Sequence, residues 1–152
     1  MKRERKAAIG LLWLTLSLWM GMQSILAAEV ESKPFAEQQV VLQISDPDPF
    51  KQTLVLNVAN NLLNHYGPDK IDVEIVAFGP GLRLLLAGNA NEQRIDGLAA
   101  QGVRFSACEN TIKSFTKSLG EAPALNPKAV TVSAGVVRII DLTGQGYQLI
   151  KP

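Results

Sequence analysis

The chain has 152 residues, of which 47% are hydrophobic and 19% charged, and it contains one cysteine and one histidine. This length suits one ordinary domain and is too short for two. A single cysteine excludes a scaffold of intrachain disulfides, and one cysteine with one histidine provides too few ligands for a Cys/His metal site.

The N-terminal segment has the pattern of a bacterial secretory signal peptide. Four basic residues within positions 2–6 precede an uncharged run over 7–25, and Ala27 and Ala28 then supply small residues. We expect cleavage near Ala28, because a basic start, an apolar run and a small-residue exit are typical of export signals. A retained membrane anchor is the alternative, since the 19 uncharged residues are just long enough to cross a bilayer. Both readings assign residues 1–28 to targeting and predict a periplasmic location for the rest.

The remainder of the chain is weakly acidic. Residues 29–152 contain 11 Lys and Arg against 13 Asp and Glu, which gives a net charge of −2, and no basic cluster follows the leader. We therefore expect no nucleic-acid binding, and no membrane association once the signal segment is removed.

Strand-like and helix-like patterns alternate after a polar segment, 29–38, that predicts a short linker. The predicted strands are 39–44, 71–77, 103–107, 129–132 and 147–150, and the predicted helices are 50–66, 82–87, 91–101, 109–119 and 136–142. This alternation predicts one α/β domain over 39–152, with a mostly parallel five-stranded sheet and helices on both faces.

The loops that follow the strands are expected at one edge of the sheet, where parallel α/β proteins bind ligands. The candidate binding residues in these loops are Asp46, Asp48, Gly79, Gly81, Asn110 and Gly135. The two aspartates suit a cation or an acid/base pair, although helix capping explains them as well. The glycines allow close approach of a ligand to the backbone, or form an ordinary turn. They match no nucleotide-binding fingerprint, and we expect no cofactor and no metal.

Cys108 is the candidate catalytic residue. It lies where a predicted strand gives way to a helix, and the unpaired N–H groups and positive dipole of a helix start lower the pKa of a thiol. The thiolate is the nucleophilic form of sulfur. An inert buried thiol is the alternative, since free cysteine is among the most buried residue types, and the neighbouring Glu109 opposes ionisation. An intermolecular disulfide is a further alternative.

Four blocks of the sequence, over 40–45, 73–81, 98–111 and 134–140, together with Gly146-Tyr147, resemble the DsrE/DsrF-like family of sulfur-relay and YchN-like proteins. The likeness covers 39–152. Its most specific part is Gly102-Val103-x-Phe105-x-x-Cys108, which matches the family's strand that ends in the sulfur-carrying cysteine.

The resemblance implies a parallel α/β fold that assembles as a homotrimer or hexamer. It also implies that Cys108 accepts a sulfane sulfur as a persulfide from a donor protein and passes it to an acceptor protein. The sequence departs from the relay members in its export signal and in Glu109-Asn110-Thr111, where they have small residues leading to Arg-Gly. It is similar instead to an exported branch.

The sequence therefore predicts a periplasmic sulfur-handling or thiol-redox accessory protein that acts through Cys108. The alternative is a non-catalytic oligomeric module of the same fold that binds a ligand or a partner, since no acid/base constellation accompanies the cysteine.

Overall fold

The computed structural model describes Lys33 and residues 35–152, so the predicted signal segment 1–28 lies outside the described residues. Five strands form one sheet in the order β4-β3-β2-β1-β5, and all neighbouring strands are parallel. The strands are β1 (Gln38–Ile44), β2 (Ile71–Ala77), β3 (Arg104–Cys108), β4 (Ala129–Val132) and β5 (Gln148–Ile150). The predicted fold class is confirmed, and the sheet is parallel throughout.

Helical segments connect the strands. They are α1 (Pro49–Tyr66), a 3-10 helix (Gly79–Leu85), α2 (Glu92–Ala100), α3 (Glu109–Leu119) and α4 (Gly135–Gly144). The predicted helix over 82–87 is this 3-10 helix, which begins three residues earlier and ends two residues earlier than predicted. Among the described residues, no helix combines the length and hydrophobicity that crossing a membrane requires.

One face of the sheet is apolar and carries most of the core. Leu42, Ile75 and Phe105, from the three central strands, are at most 1% exposed on this face. They pack against α1, α2 and the 3-10 helix, while Ile112 and Phe115 of α3 border the same cluster. Alternation along each strand sends every second side chain to this face, which explains why the hydrophobic pattern of the sequence predicted the strands well.

The other face is partly polar and is covered by α4. A small apolar cluster forms here, in which Ile139 and Leu142 of α4 pack on Val41, Val76 and Tyr147. The predicted helices on both faces are thus confirmed, although the division is unequal.

The described end of the predicted linker contacts the domain. The Nζ of Lys33 donates hydrogen bonds to the carbonyl oxygens of Ile71 and Gln101, at 3.3 and 3.0 Å, and its backbone N–H bonds Asp72. The N–H groups of residues 37 and 38 both donate to the Lys70 carbonyl, so strand pairing begins one residue before the predicted position. Lys33 therefore fastens the chain at the amino edge of the sheet, opposite the edge that carries Cys108.

Candidate functional site

Cys108 is the last residue of β3 and the N-cap residue of α3. Its side chain lies on the α4 side of the sheet, because Phe105 and Ala107 belong to the core of the opposite face. The residue is 5% exposed. The sequence predicted this junction of strand and helix.

Polar groups from two helices surround the sulfur. Burial raises the pKa of the Cys108 thiol, but the Thr111 hydroxyl and the backbone N–H groups of Gly135, Thr111 and Asn110, which can donate to a thiolate, outweigh burial and bring the pKa below its ordinary value. In the described structure, the Cys108 side chain makes no capping hydrogen bond to α3, so the first N–H groups of this helix are available to a thiolate. These donors therefore favour the thiolate over the thiol, as expected where the first N–H groups of a helix have no partner within the helix.

Thr111 links the thiol to the loop after β2. The N–H of Gly79 donates a 2.8 Å hydrogen bond to the Thr111 Oγ1, and Thr111 is 9% exposed. Since that oxygen accepts from Gly79, its own proton is free to point at the sulfur of Cys108. Gly79 has a φ of 53°, a conformation that glycine adopts without strain. It thus acts on the site through Thr111.

Gly135 begins α4 and brings its backbone close to β2. A Cβ at this position would lie 2.9 Å from the Cβ of Phe78, so only glycine permits the approach without a shift. The start of α4 is thereby held near β3, and the Gly135 N–H contributes to lowering the pKa of Cys108. The starts of two helices, α3 and α4, therefore lie near one sulfur, and the sequence predicted only the first of them.

The remaining residues of the predicted binding set have structural roles. Asp48 is the N-cap of α1, where its Oδ1 accepts from the N–H of Phe50 at 2.8 Å. Asp46 accepts from the N–H of Asp48 at 3.0 Å. Gly81 lies against the end of β1, since a Cβ there would be 2.4 Å from the carbonyl oxygen of Ile44. The capping interpretation of the aspartates therefore describes their contacts, and Gly81 serves close packing of the backbone.

Glu109 follows the thiol, and the sequence suggested that its charge opposes ionisation. In the structure its carboxylate forms an ion pair with the Nζ of Lys113, at 3.0 Å, and both side chains are substantially exposed. Because the Glu109 carboxylate is exposed, solvent and salt screen the repulsion that it exerts on a thiolate. In the described part of the chain, no three His, Cys, Asp or Glu side chains are grouped so as to hold a metal.

A network of buried charges covers the sheet beneath α4. Glu74 accepts two hydrogen bonds of 2.7 Å from Arg138, one of 3.1 Å from Arg104 and one of 2.6 Å from Ser106. Burial raises the pKa of the Glu74 carboxyl, but the hydrogen bonds from Arg138 and Ser106 and the charges of both arginines outweigh burial and lower it.

The network continues to Asp72, which pairs with Arg104 and accepts from the Tyr147 hydroxyl at 2.6 Å. Burial and the hydrogen bond to Asp72 raise the pKa of Tyr147 to about 12. Two carboxylates are thus matched by two guanidinium groups, which is how buried charge is tolerated.

Sequence reasoning missed Thr111 and the two carboxylates. Thr111 is the third residue of α3, the position whose N–H a capping residue normally binds, and this spacing was the available signal. Asp72 and Glu74 alternate with apolar residues in β2, which is a pattern that predicts an ordinary strand. Their burial depends on which strands flank β2 and on where α4 lies, and neither follows from local patterns.

Comparison of the sequence with protein-family models and with curated proteins found no match. Among solved structures, the chain is similar to MTH1491 of Methanobacterium thermoautotrophicum, described as a protein of unknown function. The TM-score is 0.68 and the sequence identity 27%, covering 76% of this chain and 100% of that chain. It is also similar to the YchN protein of E. coli, with a TM-score of 0.59 and 17% identity, covering 76% of this chain and 99% of that chain.

The fold and the site together define a class: single-domain parallel α/β proteins with one thiol at the carboxyl edge of the sheet. Within that class, the chain has a DsrE/YchN-like fold.

Proposed function

We propose that the protein handles sulfur through Cys108, as a carrier of sulfane sulfur. In the first step, the Cys108 thiolate attacks the outer sulfur of a donor persulfide, R–S–SH. A new S–S bond forms to Cys108 while the donor's S–S bond breaks, and the donor leaves as the thiolate R–S⁻. An acceptor thiolate then takes the outer sulfur from Cys108 in the same way, so the cycle needs no external oxidant or reductant.

The observation that carries this proposal is the position of Cys108 at the end of β3 and the start of α3, where the Thr111 hydroxyl and three backbone N–H groups lower the pKa of the thiol. They favour the thiolate of Cys108, which is the nucleophile of the first step and the leaving group of the second. The same donors suit the anionic form of a bound persulfide, because N–H groups at helix starts bind anions. A lone thiol is sufficient for this chemistry, since each partner supplies its own sulfur.

Alkylation across a pH series tests whether Cys108 is activated. We expect iodoacetamide to modify the native protein faster at neutral pH than it modifies an unperturbed thiol of the same nucleophilicity, with Cys108→Ser as the unreactive control. Treatment with polysulfide should then add about 32 Da, one sulfur atom, to the native protein and nothing to Cys108→Ser. A native protein that neither alkylates faster nor takes up sulfur would end the proposal.

The near-complete burial of Cys108 favours a second candidate, a binding module that does no sulfur chemistry. In that case Cys108→Ser would keep its fold, its assembly and its cellular phenotype. Loss of the phenotype in a well-folded Cys108→Ser protein would exclude this candidate.

We also propose that the domain works in the periplasm as a homo-oligomer, a trimer or a hexamer. The export pattern of residues 1–28 supports the location, and intact mass of protein from the periplasmic fraction would show the site of cleavage and any sulfur adduct. Exposed apolar side chains on the α4 side support self-association. They are Val130, Val136, Val137, Ile140 and Leu149.

These side chains share one side of the sheet. Val130 pairs with Ser106, and Leu149 pairs with Val41, and both partners face α4. Apolar surface of this kind on a small domain indicates an interaction site. Light scattering should give a multiple of the monomer mass, and Ile140→Lys should lower it without unfolding the domain. A monomeric mass for the native protein would contradict the proposed assembly.

A further inference from the structure

The position of α4 depends on few contacts. Of its ten residues only Gly135, Ile139 and Leu142 are buried. The two larger side chains pack on a small cluster that includes Val41 and Tyr147. Apolar packing is not directional, so this small cluster by itself does not set the orientation of α4 on the sheet.

A directional contact between Arg138 and Glu74 fixes the orientation of α4, which apolar packing does not determine. Arg138 lies one helical turn after Gly135, and its Nε and Nη2 each donate a 2.7 Å hydrogen bond to a different oxygen of Glu74. The Glu74 side chain is fully buried and that of Arg138 is 20% exposed. A planar guanidinium bound through two parallel bonds sets both distance and orientation, which a single-point contact does not.

This pair of hydrogen bonds between Arg138 and Glu74 is called the fork below. The sheet connects the fork to the Cys108 thiol. Glu74 in β2 pairs in register with Arg104 in β3, and Cys108 ends the same strand. Glu74 and Cys108 therefore lie on neighbouring strands of one hydrogen-bonded sheet, which fixes their separation. Helix α4 spans that separation, with Arg138 on the carboxylate and Gly135 at the sulfur.

We propose that Glu74 and Arg138 are positioning residues of the Cys108 site, and that their fork holds α4 where the Gly135 N–H reaches the sulfur. This inference deepens the proposed function, because it rests on the thiolate that sulfur transfer requires. The groups that face the sulfur are Asn110 and Thr111 from α3 and Gly135 from α4, with Glu109 paired to Lys113 beside them. The fork acts on the sulfur through Gly135.

Two substitutions at Arg138 separate position from charge. Arg138→Met removes the fork but leaves Glu74 bound to Arg104 and Ser106, so the carboxylate keeps two of its three partners. Arg138→Lys keeps the charge and loses the two-bond geometry. We expect Arg138→Met to lower the neutral-pH alkylation rate of Cys108 roughly two- to fivefold, the usual effect of one helix terminus on a charge, and Arg138→Lys to lie between it and the native rate.

A second measurement reports on Gly135 directly. In the native protein, the amide resonance of Gly135 should shift as Cys108 titrates, and Cys108→Ser should abolish that shift. In Arg138→Lys the shift should shrink, and this milder variant decides the question if Arg138→Met does not fold. Ile95→Val, a core change in α2 on the opposite face, is the control for general destabilisation and should leave both measurements unchanged.

Native alkylation profiles and a native Gly135 response in folded Arg138 variants would overturn the positioning role, even if Cys108 carries sulfur. Conversely, slow alkylation of the native protein would count against the proposed function. In that case the Gly135 response in Arg138→Lys would still show whether the fork places α4.

Discussion

The two faces of the sheet are built by different means from the same strands. On β2 and β3, Ile75 and Phe105 point to the apolar face, while their neighbours Glu74 and Arg104 point to the face under α4. Three helices and a 3-10 turn cover the apolar face, and one helix covers the other. The apolar face supplies the non-directional burial that stabilises the domain, whereas the polar face fixes orientation through hydrogen bonds.

This contrast explains where the candidate site lies. The Cys108 sulfur sits at the edge of the polar face, where N–H groups and a hydroxyl are held in defined directions. A thiolate is stabilised by such groups and destabilised by the aliphatic surroundings of the opposite face.

Two leucines on opposite faces give the largest expected effect. Leu56 of α1 is buried in the main core and Leu142 of α4 in the small cluster, and each is at most 1% exposed. We expect Leu56→Ala to lower the free energy of unfolding by about 3–5 kcal/mol and Leu142→Ala by about 2–3 kcal/mol, because the thinner layer can collapse around the cavity. Urea denaturation measures both.

The two substitutions should have the opposite order of effect on the alkylation rate of Cys108. Leu142→Ala loosens α4 and should slow alkylation of Cys108, whereas Leu56→Ala should leave it unchanged while the protein is folded. Equal losses of stability together with equal alkylation rates would remove the distinction between the faces.

Acidification should reveal how much the charged network contributes to the stability of the folded protein. The folded-state pKa of Glu74 lies below its ordinary value of 4.5, so the folded protein binds fewer protons than the unfolded chain. The stabilisation from Glu74 is therefore complete above about pH 4.5 and is lost as the pH falls through the folded-state value. We expect Glu74→Gln to lower stability at neutral pH by about 1.5–3 kcal/mol and to flatten the loss on acidification.

Denaturant titrations at several pH values would measure this effect. Glu121→Gln, which changes an exposed carboxylate, is the matched control and should follow the native curve. If the free energy of unfolding of Glu74→Gln fell with pH as steeply as that of the native protein, other groups would account for the acid sensitivity.

The sequence predicted the strands because their signal is local. The fourth strand, Ala129–Val132, has the predicted bounds, and Cys108 lies at the predicted strand end. The arrival of Gly135 at that sulfur could not be predicted, because it depends on the order of β2, β3 and β4 and on the side of the sheet that α4 occupies. Likewise, the partners of Glu74 lie 30 to 64 residues away along the chain.

A smaller effect, confined to the polar edge, is expected at Thr111. Thr111→Val removes the hydroxyl that lowers the pKa of Cys108 and leaves the Gly79 N–H without its acceptor. We expect the neutral-pH alkylation rate to fall on the order of tenfold, the effect of one hydrogen bond to a charged group. Thr111→Ser keeps the hydroxyl and should restore most of the rate. Equal rates in the Val and Ser variants would show that the hydroxyl does not contact the thiolate.

The smallest expected effect is that of a substitution at Asp48, in the loop after β1. It distinguishes this loop from the loops at the same edge of the sheet that lie near the thiol. Asp48 caps α1, which packs on the apolar face, so Asp48→Ala should lower the free energy of unfolding by about 1 kcal/mol, with no change in the alkylation rate of Cys108. Asp48→Asn keeps a capping oxygen without the charge and should retain most of the stability. If Asp48→Ala slowed sulfur uptake while Asp48→Asn did not, the loop after β1 would belong to the site. Because capping already accounts for the Asp48 contacts, we expect the loops after β2, β3 and β4 to serve the thiol and the loop after β1 to serve the fold.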